Sequence, residues 1–168
     1  MATGIPMDDW QSLPWKKVHR NVFRLQQRIY RASSRDDHGT VRKLQRLLLK
    51  SKSAKLLAVR QVAQDNHGKR TAGIDGIKAL SPCQRLALAN QLVVARKASP
   101  LRRLWIPKPG TEEKRPLSIP TLHDRALQTL VKTALEPGWE ARLCAVSSAT
   151  RSATKVARSL GIFCTHRA

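Results

Sequence analysis

Acidic residues are scarce in this 168-residue chain: 11 Asp and Glu stand against 32 Lys and Arg, leaving a formal net charge of +21 and a sequence pI near 11.4. Keeping a surface soluble takes far less charge, so a merely solvated basic surface is a poor account of the excess. A small folded chain with such an imbalance repels itself, and the repulsion is relieved when a polyanion replaces the counterions. The composition points to nucleic acid as the partner. Binding to an anionic membrane is a weaker rival, because no segment joins a basic face to a Trp, Phe and Leu face in an anchoring context.

Cysteine is also scarce. Cys83, Cys144 and Cys164 are odd in number and far apart with no C-x-x-C pair, and Cys164 with His166 does not have zinc-finger spacing. These absences exclude a disulfide scaffold and a zinc finger. The three are read as reduced thiols, and no metal site and no cofactor is expected. No stretch reaches transmembrane length, and Met1 to Trp15 contains Asp8 and Asp9 but no apolar run, so a secretory signal is excluded. An intracellular protein is expected. Lys69 to Gly76, K-R-T-A-G-I-D-G, is not a Walker A loop, which would need Gly in place of Ala63 and Ser or Thr in place of Arg70. It reads as a basic turn.

Hydrophobic residues make up 41% of the chain and fall in periodic blocks. Val18, Val22, Leu25, Ile29 and Ala32 recur at steps of three and four, which predicts an amphipathic helix from Trp15. Arg20, Arg24, Arg28 and Arg31 fall largely on its other side, spaced to run beside a phosphate backbone. Ser33, Ser34, Asp36, Asp37 and Gly39 supply cap and turn chemistry before a second helix with Val41, Leu44, Leu47 and Leu48 inside and Arg42, Lys43 and Arg46 outside. Ser51 and Ser53 mark a bend. A third helical segment spans Ala54 to Asp65, with Leu56, Val59 and Ala63 on one face, and ends near Asn66 and Gly68. Ser81, Pro82 and Gln84 form a capping-box start for a helix running toward Val94.

The period then changes to two. Leu104 with Ile106 and Leu117 with Ile119 flank a turn from Pro107 to Glu113, which predicts a β-hairpin whose exposed residues, Arg102, Arg103, Lys108, Lys114 and Arg115, are basic. Thr121-x-x-Asp124 opens a further helix, expected to stop at Pro137 and Gly138. No Asp or Glu follows Glu140, so the rest reads as a loose tail in which Ala153 to Leu160 could form a basic helix on RNA. The expected fold is mainly α with one β-hairpin, an α+β class. It divides into a flexible N-terminus (1–14), a helical block (15–76), a hairpin-bearing block (77–142) and a tail (143–168).

Several phrases in order resemble the N-terminal part of group II intron reverse transcriptases, also called maturases. They are W-x-x-L-P-W-K-K at Trp10 to Lys17, F-R-L-Q-x-R-I-Y at Phe23 to Tyr30, V-R-K-L-Q-R-L-L-L-K-S at Val41 to Ser51 and T-A-G-I-D-G at Thr71 to Gly76. They continue with P-L-R-R-L-W-I-P-K-P-G from Pro100, E-K-R-P-L-S-I-P through Pro120 and H-D-R-A-L-Q from His123. The resemblance implies that the 15–76 block is the family's RNA-gripping N-terminal extension and that 77–142 begins its fingers subdomain. It further implies that Lys108, Lys114 and Arg115 hold the template and the phosphates of the incoming nucleotide. The helical Arg20, Arg24, Arg28, Arg31, Arg42, Lys43 and Arg46, the loop residues Lys69 and Arg70, and Arg102 and Arg103 are candidates for the RNA backbone.

The family's polymerase activity uses Mg ions held by palm carboxylates around a Tyr-x-Asp-Asp motif. Here the single tyrosine, Tyr30, is followed by Arg31 and Ala32, and neither Asp8-Asp9 nor Asp36-Asp37 is a credible metal pair. No catalytic residue is therefore expected. After Arg142 the family pattern gives way to Leu143-Cys144-Ala145-Val146, as expected of a truncated or frameshifted reading frame. The implied function is an RNA-binding fragment with group II intron RNA as partner. The alternative is a stand-alone basic module that binds structured RNA without intron specificity.

Overall fold

The computed structural model describes residues 10–66, 71–94, 99–110 and 112–147. Five helices and one two-stranded ribbon make up these residues, so the α+β class expected from the sequence is the one observed.

α1 (Trp15–Ser33) buries Val18, Val22, Ile29 and Ala32, the stripe that its spacing predicts. Asp36 then takes a left-handed backbone (φ 54°), which a short polar residue tolerates, and Asp37 caps α2 (His38–Lys50) by accepting from the Thr40 N–H at 2.9 Å. Ser33 was grouped with this turn but lies inside α1. It is buried, and its hydroxyl donates to the Gly138 carbonyl at 3.0 Å. Ser51, extended at ψ 126°, separates α2 from α3 (Lys52–Arg60). A π-helical turn, Gln61–Asp65, follows and buries the adjacent Val62 and Ala63 together. α4 (Pro82–Gln91) begins with both halves of the capping box between Ser81 and Gln84. It ends sooner than expected, because the backbone turns extended at Leu92, a fully buried core residue.

β1 (Arg102–Pro107) and β2 (Lys114–Ile119) pair antiparallel, with Leu104 opposite Leu117 and Trp105 opposite Pro116. α5 (Leu122–Ser147) then runs the length of the body. Val18 shares a cluster with Leu122 and Ala126, Gln26 reaches Thr133 and Ser33 reaches Gly138, so α1 and α5 advance in parallel. Two apolar clusters result. One joins Trp10, Val18, Leu56, Val59, Leu92 and Ala126; the other joins Val22, Ile29, Leu44, Leu48, Ala58 and Leu130. α1, α3 and α5 each contribute to both, so helices on either side of the 76/77 position share one core.

Leu47, expected inside α2, is instead 52% exposed, and three larger expectations are corrected as well. α5 does not stop at Pro137 but continues to Ser147 with the proline inside it. Pro137 lacks the N–H that would bond the Thr133 carbonyl, and the Gln26 side chain donates to that carbonyl instead, at 3.3 Å. Pro137 is itself fully buried, so packing and a substitute donor together outweigh the local break. The tail expected from 143 is accordingly helical as far as Ser147; the remainder, including Ala153 to Leu160, lies outside the described residues. The expected flexible N-terminus is packed from Trp10 onward: Trp10 is 2% exposed, stands edge-on to Trp15 at 5.0 Å and donates from Nε1 to Gln64. Residues 1–9 lie outside the description.

Candidate nucleic-acid interface

At about 100° per residue, Arg20, Arg24, Arg28 and Arg31 occupy one arc of α1 of roughly 80°. That arc lies opposite the buried stripe, and all four are exposed. Lys17 falls in the same arc and is also exposed. The sequence reading omitted it, although its step of three from Arg20 was the available signal. On α2 the exposed Arg42, Lys43 and Arg46 face away from Val41, Leu44 and Leu48, and Lys50 extends the row by one more turn. Arg42 is partly committed: its Nε donates to the His38 carbonyl at 3.2 Å.

Not one Asp or Glu lies in α1, α2 or α3. Arg20, Arg24 and Arg28 repeat at i, i+4, as do Arg42, Arg46 and Lys50, and such like-charge neighbours cost a helix a few tenths of a kcal/mol per pair. A helix surface selected for stability alone would alternate signs. These surfaces instead carry a uniform positive field suited to a polyanion.

The ribbon is exposed on both faces, and its register sorts the charges. Arg102 and Arg115 share a face with Leu104, Ile106 and Leu117; Arg103 and Lys114 share the other with Trp105 and Pro116. The set Lys108, Lys114 and Arg115 is thus not on one face, since adjacent strand residues point to opposite sides. Lys108 stands at the turn, where its Nζ pairs with the Glu113 carboxylate. Arg102 is partly structural, donating to the Ala72 carbonyl at 3.4 Å.

That bond belongs to the seat of the Thr71 to Gly76 loop. Arg125 on α5 donates to the Thr71 carbonyl at 2.6 Å, and Ala72 is buried. A Cβ at Gly73 would lie 2.8 Å from the Thr121 backbone and 2.9 Å from the Pro120 carbonyl, so only glycine permits the approach. The loop is more than a turn: it joins the ribbon base to the start of α5. Lys69 and Arg70, the basic residues expected of it, lie outside the described residues.

At that junction Thr121 caps α5, its hydroxyl oxygen accepting from the Asp124 N–H at 3.2 Å. Burial pushes the Asp124 carboxyl up, but hydrogen bonds from Thr121, Ser99 and His123 outweigh it and hold it below its ordinary value. On α2, the hydrogen bonds from Thr40 likewise lower Asp37. The Asp37 carboxylate caps α2, whereas the Asp124 carboxylate ties the start of α5 to Thr121 and Ser99. Among the described residues no group of His, Cys, Asp and Glu could hold a metal ion, and no helix is long and apolar enough to cross a membrane.

Residues 10–92 match the family described as the N-terminal domain of reverse transcriptase. The chain is also 33% identical over 143 residues to Maturase-like protein 1 of Euglena gracilis, an alignment covering 79% of this chain and 29% of that protein. The chain belongs to the reverse transcriptase and maturase family. Protein YkfC of Escherichia coli (strain K12) is 29% identical over 125 residues, covering 71% of this chain and 32% of its own length. The chain therefore spans about a third of the length of these relatives. The matched reverse-transcriptase domain opens at buried Trp10 and closes at buried Leu92, taking in α1 to α4. The ribbon and α5 follow it.

Proposed function

We propose that this member of the reverse transcriptase and maturase family binds RNA, with group II intron RNA as its partner. The outer faces of α1 and α2 and the ribbon neutralise the ribose-phosphate strand. The observation that carries the reading is the segregation of charge: exposed, carboxylate-free arginine and lysine rows on helices whose opposite faces are the core. On the ribbon, Arg103 with Lys114 and Arg102 with Arg115 offer phosphate donors on two sides, and Lys108 joins them by exchanging Glu113 for phosphate. A forked guanidinium and a mobile ammonium both suit phosphate oxygens. Polymerisation is not assigned to these residues, and the family's Mg chemistry belongs to palm carboxylates outside the motifs of this chain. Such work is done where intron RNA is made, in a bacterial cytoplasm or an organellar matrix.

The test is a titration of intron RNA at rising salt. The logarithm of affinity should fall with the logarithm of salt by about 0.7 to 0.9 per neutralised phosphate. Absent or salt-independent binding in dilute buffer would overturn the proposal. A preference for intron RNA over a random duplex at fixed salt is expected; equal affinity would replace intron recognition with general binding of structured RNA. Primer extension by the chain alone should yield no DNA.

A further inference from the structure

A groove of about 380 Å³ lies between the start of α2 and the middle of α5, away from the ribbon. His38, Arg42 and Gln45 line it from α2, and Trp139 and Arg142 from α5; no carboxylate lines it. Trp139 is 60% exposed, and the Arg142 guanidinium lies 5.7 Å from its ring. Arg142 Nη2 is 3.3 Å from Nδ1 of His38. A guanidinium only donates, so Nδ1 accepts and the pair holds Arg142 at the rim. On α5, Glu136 is held by Lys132 at 3.7 Å, and Glu140 is turned about 100° around the helix from Trp139, away from the Arg142 flank.

We infer that this groove takes one unpaired nucleotide of an RNA strand, its base stacked on Trp139 and its phosphate between Arg42 and Arg142. Stacking on an exposed aromatic ring accepts any base, and flanking guanidinium groups supply the matching charge. The groove is of ligand size and mixes one aromatic face with a few convergent donors. The exposed Leu135 and Leu143 continue the Trp139 stripe and would equally suit a protein partner. The arginines and the absence of carboxylates at the groove favour the nucleotide. This inference rests on the RNA-binding reading and adds to it a preference for unpaired strands.

The experiment compares the full chain with Trp139→Ala and Trp139→Phe, using single-stranded oligouridylate, an abasic strand of the same length and a duplex. Trp139→Ala should weaken oligouridylate binding about tenfold, within the range for loss of one stacked base, while duplex binding changes less than twofold. Trp139→Phe should restore most of the loss, and the abasic strand should bind the wild-type chain no better than oligouridylate binds Trp139→Ala. Trp139 is exposed, so the variants should keep the wild-type thermal melt. Wild-type binding of RNA with no change in Trp139→Ala would overturn this inference alone and mark the stripe as a protein-docking surface; so would equal weakening toward duplex and single strand. A wild-type chain that ignores every RNA would overturn the RNA-binding reading as well.

Discussion

At Asp124 one carboxylate accepts from the Thr121 hydroxyl at 3.0 Å and from the Ser99 N–H at 3.3 Å, with His123 Nδ1 3.5 Å from its other oxygen. Its pKa lies below the ordinary 3.8, so it contributes stability that is fully present above that value and lost as pH falls through the depressed one. Asp124→Asn weakens the hydrogen bonds from Thr121 and Ser99 and should therefore cost about 1 kcal/mol at pH 7, and the gap to wild type should close below pH 3.8. Urea denaturation at pH 7 and pH 3 measures this; an undiminished gap at pH 3 would show that the charge is not what stabilises. The Thr-x-x-Asp cap was legible in the sequence because it is local. The Ser99 tether was not, since it joins residues 25 positions apart.

At the scale of elements the same division holds. α1 follows from its stripe, α4 from Ser81-Pro82-Gln84 and the ribbon from its period of two, all signals carried within a few residues. Pro137 misled the reading of α5, because its remedy comes from Gln26, 107 positions away from the Thr133 carbonyl that it satisfies. The pairing of charges on the ribbon was available in principle from alternation, which separates Lys114 from Arg115, but a grouping by motif hides it. The role of Gln26 is open to a double-mutant cycle. Gln26→Ala should cost about 1 kcal/mol in the wild-type chain, where it strands the Thr133 carbonyl. In a Pro137→Ala background the restored N–H takes that carbonyl, so the cost should fall to a few tenths of a kcal/mol. Equal costs in both backgrounds would mean that Gln26 contributes packing only.

For the molecule as a whole, charge sets stability against binding, and Arg24 is where the two can be pulled apart. It stands between Arg20 and Arg28 at i, i+4, exposed on the face of α1 opposite the core. Arg24→Glu turns two repulsive neighbours into two attractive ones, which should raise stability by about 1 kcal/mol. The same change removes a phosphate partner and sets a negative charge in the middle of the row. RNA affinity should fall and its salt dependence should become shallower by about 0.7 to 0.9. A melting temperature that rises while RNA affinity drops is the signature of a surface that gives up stability to hold a polyanion. Arg24→Gln should lie between wild type and Glu in both measurements, because it removes the repulsion without supplying attraction. If Arg24→Glu binds RNA as wild type does, the α1 row is not the interface, and the positive field of this chain must act through α2 and the ribbon alone.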